Sequence, residues 1–148
     1  MKNEIFPLSV AWLGYGGLVP FLLFAGLSLV EPAHQSIYRG ALFSYGAVIL
    51  SFVGAIQWGI AMVMPELTSS QRRTCYIWSV VPALIAWITI FFGPVTCGLL
   101  VILGFLIQYT RDVVLNRRVA LPTWFLPLRL RLTSVACISL AIGVYSAF

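Results

Sequence analysis

Charge is what this sequence lacks. Lys, Arg, Asp and Glu make up 9% of its 148 residues, against about 25% in soluble domains. None of them falls within residues 5–30, 40–65, 74–110 or 132–148. With a mean hydropathy of +1.00, this excludes a water-soluble core. A helix rises about 1.5 Å per residue, so roughly 20 apolar residues cross a hydrocarbon layer about 30 Å thick. The charge-free windows therefore read as membrane spans.

The chemistry of catalysis is equally sparse. The only acids are Glu4, Glu31, Glu66 and Asp112, all outside the windows, and the only imidazole is His34. No carboxylate or imidazole stands inside a window to relay protons or to act as a general acid or base. Zinc-protease, nucleophile-elbow, phosphate-loop and dinucleotide motifs are absent. Glu31 and His34 read as solvated loop residues rather than as a metal site. Cys75, Cys97 and Cys137 form no C-x-x-C pair, which leaves them as small buried hydrophobes rather than a disulfide or zinc framework. The expectation is a protein that is not an enzyme and has no metal and no cofactor.

Residues 74–110 would form a helix of about 55 Å if continuous, too long for one crossing. Gly93-Pro94 is a turn signal near the middle. Five spans follow, at about 6–30, 40–64, 74–92, 94–110 and 132–148, and the fold class is an all-α integral membrane bundle forming one domain over 1–148. An odd count puts Lys2, Arg72, Arg73, Arg111, Arg117, Arg118, Arg129 and Arg131 on one side and Arg39 alone on the other. The positive-inside rule then assigns a cytoplasmic N-terminus and a periplasmic C-terminus. The net charge of +5 thus reflects topology, not a nucleic-acid surface. Pro7 and Pro20 interrupt the first window, and no A-x-A site follows it, so a cleaved signal peptide is not expected. Neither is an Arg-rich transit peptide, and the expected home is the bacterial inner membrane.

Small residues mark the expected contact faces. Ala47, Ser51, Ala55 and Gly59 recur every four residues, with Gly40 and Ser44 extending the line, and Gly46, Gly54 and Ala61 form a second one. Such stripes admit a neighbouring helix at short distance. In the first span, Gly14-Tyr15-Gly16-Gly17 followed by Pro20 signals either a kink packed on a neighbour or a broken helix lining a cavity. Gln57 lies about 8 Å from the midpoint of its span, where an amide needs a protein partner. The Gly16 and Trp78 carbonyls are the leading acceptors for it. Trp58, Trp78, Ser79 and Trp87 join Gln57 as candidates for an interhelical polar or ligand site, since a buried indole also needs an acceptor.

Residues 111–131 form the longest polar segment. Its second half, about 119–131, carries Trp124 and Phe125 between Pro122 and Pro127, and reads as a stretch lying along the cytoplasmic interface. There Arg129 and Arg131 are expected to meet lipid phosphates, helix carbonyls or another anion.

Several strings occur in order: Leu13-Gly14-Tyr15-Gly16-Gly17-Leu18-Val19-Pro20-Phe21; Tyr45 to Phe52 with Gln57-Trp58-Gly59; Trp78-Ser79-Val80-Val81-Pro82; and Leu128-Arg129-Leu130-Arg131-Leu132-Thr133. Together they resemble an uncharacterised family of small five-span membrane proteins that includes proteobacterial members and the mitochondrial transmembrane protein sixty-nine. The resemblance implies a helical bundle in an inner membrane and no established activity. It also implies His at the position of Gln57 in many members, a departure that argues against a shared proton or metal role there. Two functional readings stand. One is a structural or accessory component associating with lipids or with a larger membrane protein complex. The other is a binder or carrier of an apolar small molecule such as a lipid, quinone or pigment.

Overall fold

The computed structural model describes residues 8–148. Met1, Lys2, Glu4, Pro7 and the start of the first expected span lie outside the described residues. The described chain folds as α1 (Leu8–Gly16), α2 (Val19–Val30), α3 (Gln35–Val63), α4 (Ser69–Ile88), α5 (Pro94–Asn116) and α6 (Phe125–Tyr145), with short 3-10 turns at Pro32–His34 and Thr89–Phe91. Taking α1 and α2 as one crossing, five helical segments among the described residues are long and apolar enough to cross a membrane. Helix α3 packs against α2, α4, α5 and α6 and is the centre of the bundle.

Helix ends differ from the charge-free windows because a charged residue in a terminal turn is compatible with helix when it finds a partner. Helix α4 begins at Ser69, not 74, because Thr68 and Gln71 form a capping box: Gln71 N donates to Thr68 Oγ1 (3.3 Å) and Thr68 N to Gln71 Oε1 (3.0 Å). That places Arg72 where it donates to the Ala61 carbonyl and, at 2.9 Å, to the Met64 carbonyl, the orphan acceptors at the end of α3. Helix α5 runs to Asn116 rather than ending at 110. Helix α6 starts at Phe125 rather than 132, so residues 125–131, expected along the interface, are its first two turns. Pro127 is tolerated there because backbone N–H groups in a first turn have no intrahelical acceptor.

Between α1 and α2 the chain turns at Gly17-Leu18, and Tyr45 Oη on α3 donates to the Gly17 carbonyl at 2.9 Å. The interior is closed by Phe21, Leu42, Leu50, Val101, Phe105 and Leu140, each no more than 2% exposed. Close approach depends on glycine at several places, Gly54 and Gly98 among them. A Cβ on Gly54 would sit 2.7 Å from the Pro82 ring, and one on Gly98 would sit 2.5 Å from Val144 and 2.9 Å from Phe43. The packed stripe of α3 is therefore Gly46, Gly54 and Ala61. Ala47 and Ser51 are only half-buried, while Ala55 and Gly59 are exposed, with nothing within 4 Å of a Cβ on Gly59. The regular four-residue stripe marks the outer side of α3, not its main contact.

Candidate functional site

The periodicity of α5 turns one line of residues inward. Val101, Gly104, Phe105, Gln108, Asp112 and Leu115 are all buried, at spacings of three and four that keep one helical face. The last polar members of that line meet α3, α4 and α6 at the end of the bundle that holds the α5–α6 connection. Arg129 Nε donates to Asp112 Oδ2 at 2.8 Å, with side-chain exposures of 7% and 3%. Gln108 Nε2 and Gln57 Nε2 donate to the other carboxylate oxygen, Oδ1, at 3.0 and 3.4 Å. Trp78 Nε1 donates to Gln108 Oε1 at 3.2 Å. The Arg111 guanidinium lies 4.8 Å from the centre of the Trp78 ring, within cation–π range.

Asp112 is thus the hub of a network drawn from α3, α4, α5 and α6. This corrects its expected place outside the spans: α5 extends past it, and the residue is 2% exposed. Of the partners expected for Arg129, the structure supplies an anion from the protein itself. The early start of α6 places Arg129 in the second turn, facing α5, where it pairs with a carboxylate instead of meeting lipid phosphate. Arg131 is exposed, and its Nη1 donates to Tyr15 Oη at 3.2 Å. Gln57 is 1% exposed, but its amide reaches Asp112 rather than the Gly16 or Trp78 carbonyls.

The other candidates do not gather around Gln57. Trp78 joins the network through Gln108. Ser79 is buried, and its Oγ donates to the Tyr76 carbonyl of its own helix at 2.7 Å. Trp58 is 47% exposed and packs on Tyr76 with ring centres 4.9 Å apart. Trp87 is 58% exposed and meets Phe91 edge-on. Their aromatic faces lie on the outside of the bundle, where lipid rather than a buried acceptor is the natural neighbour.

Sequence reasoning missed Gln108, Asp112, Arg111 and Thr133. Gln108 carried the same signal as Gln57, an amide deep in a charge-free window, and its spacing of four from Asp112 puts both on one face. Among the described residues no three His, Cys, Asp or Glu side chains gather into a metal-binding group.

Two cavities flank this architecture. One, about 600 Å³, opens at the opposite end between α3, α4 and the start of α5. Gly40, Ser44, Ala47 and Ser51 line its α3 wall, and Ala83 and Trp87 face them from α4. The other, about 110 Å³, lies between the α1–α2 turn, α3, α5 and α6, with Arg129 and Thr133 in its wall.

The profile of DUF3429, described as a protein of unknown function, matches residues 6–145. Transmembrane protein 69 of Xenopus tropicalis is 36% identical over 137 residues, covering 90% of this chain and 53% of that protein. Transmembrane protein 69 of Mus musculus is 30% identical over 141 residues, covering 92% and 55%. The chain spans about half the length of the curated relatives it matches. No solved structure matches it.

Proposed function

This multi-pass membrane protein belongs to the DUF3429 family, and on that premise we propose that it is a non-enzymatic accessory component that associates with other membrane proteins. The observation that carries this reading is the 600 Å³ groove between α3, α4 and the start of α5. Small-residue stripes serve close helix contacts, and a five-helix bundle needs some of them for its own packing. Here the bundle closes on Gly46, Gly54 and Ala61, which leaves Gly40, Ser44, Ala47 and Ser51 as one wall of an open, mostly apolar groove. A transmembrane helix presented by another protein fits such a wall, because small side chains let its backbone come near.

The polar network supports the non-enzymatic part. The Asp112 carboxylate is held by Arg129, Gln108 and Gln57, an arrangement that ties helices together instead of presenting an acid or base to a substrate. The basic bias of the loops favours an N-terminus on the cytoplasmic face of a bacterial inner membrane.

Photo-crosslinking in native membranes tests the reading. Benzoylphenylalanine placed at Ser44, in the groove, should give a discrete adduct with another membrane polypeptide. The same group at Ile138, which is 63% exposed on α6, should not. No protein adduct at Ser44, or equal adducts at both positions, would refute it.

A further inference from the structure

Two residues that line the smaller cavity, Arg129 and Thr133, carry buried polar atoms that the fold does not use. Arg129 Nη2 and Thr133 Oγ1 are buried and have no hydrogen-bond partner, although their residues are only 5% and 4% exposed. Leaving such groups unmade is costly where no water competes. Thr133 is the more telling of the two. A hydroxyl inside a helix ordinarily donates to a carbonyl three or four residues back, as Ser28, Ser51, Ser79 and Thr89 do in this bundle. Thr133 forgoes that bond. It lies one helical turn beyond Arg129, so both line the same wall of the 110 Å³ cavity.

The remaining lining is apolar and includes Phe21, Val53, Phe105 and Ala136. Leu13 and Phe52 are also part of the wall and are 78% and 67% exposed, so the cavity reaches the lipid-facing surface. We propose that it binds the head of a neutral carbonyl-bearing amphiphile, whose oxygen accepts from Arg129 Nη2 and Thr133 Oγ1 while its tail leaves past Leu13 and Phe52 into the bilayer. Charge balance selects the neutral class. Asp112 already compensates Arg129, so an anionic head would bring an uncompensated charge into a low-dielectric site. Volume selects the part that enters. An apolar cavity of about 150 Å³ holds a benzene ring, so this smaller one, at about 110 Å³ and open towards the lipid, admits a head no larger than a single ring or an ester group, not a whole lipid.

Native mass spectrometry of the full chain with four ten-carbon probes tests the site. Decylbenzoquinone offers a ring carbonyl and monodecanoylglycerol an ester carbonyl. Decylbenzene has no acceptor, and decanoate is an anion. At least one carbonyl probe should form a saturable equimolar adduct, about tenfold or more tighter than decylbenzene; which of the two binds identifies a ring-type or a lipid-ester ligand. Thr133→Val, nearly isosteric, should weaken that adduct about 3- to 10-fold, and Ala136→Leu, which fills the cavity, should abolish it. The proposal is overturned if no probe binds, if decylbenzene binds equally well, or if decanoate binds tightest. It is also overturned if Thr133→Val binds like the parent, an outcome readable even where Ala136→Leu does not fold.

Discussion

Arg129 on α6 and Asp112 on α5 are joined by an N–H···O bond of 2.8 Å inside the bundle, 17 residues apart in sequence. The short connection between the two helices makes the pairing local in the chain. Gln57 brings α3 to the same carboxylate, so one side chain ties together three helices.

Removing one partner of this pair leaves a buried charge without compensation. Arg129→Met should lower stability by about 3–5 kcal/mol, and the double variant Asp112→Leu with Arg129→Met should regain most of that loss. Unfolding titrations in mixed detergent micelles measure both. A single variant as stable as the parent would show that the pair is not isolated from water or headgroups.

The two small stripes of α3 predict opposite outcomes for the same kind of change. Gly54→Leu drives new atoms into the Pro82 ring, which approaches a Cβ position at 2.7 Å, and should cost about 3 kcal/mol. Gly59→Leu meets open space and should leave thermal stability within about 0.5 kcal/mol of the parent. Equal losses in the two variants would mean that α3 is rotated from the orientation described.

Within the network, Gln108 both accepts from Trp78 and donates to Asp112, whereas Gln57 makes one longer contact and leaves its Oε1 unpartnered. Gln57→Leu should therefore cost about 0.6 kcal/mol or less, and Gln108→Leu about 1–2 kcal/mol. Paired melting curves in one detergent check the order; the reverse order would contradict the assigned hydrogen bonds.

Helix number and type were legible because charge-free windows and Gly93-Pro94 report directly on membrane crossings. Helix ends were not. The windows stop at the first charged residue, while Thr68 caps α4 before its arginines and α5 continues through Arg111 and Asp112. The site was missed for the same reason. Treating Asp112 as a loop residue hid the buried acid that Arg129 and Gln57 require, although the line from Val101 through Gln108 to Leu115 kept its helical spacing. The choice between two equally good small stripes depends on where Pro82 seats, a tertiary fact that no local pattern carries.

The claim that the groove beside Ala47 and Ser51 serves association is tested most directly by the mass of the protein extracted from native membranes in a mild detergent. Light scattering on the eluted protein, with detergent mass subtracted, should place the parent in an assembly containing another membrane polypeptide. Ser44→Phe and Ala83→Phe change exposed groove residues and should return the chain to its own 16.4 kDa. A parent that elutes alone at that mass, or groove variants that keep the same assembly, would contradict the account.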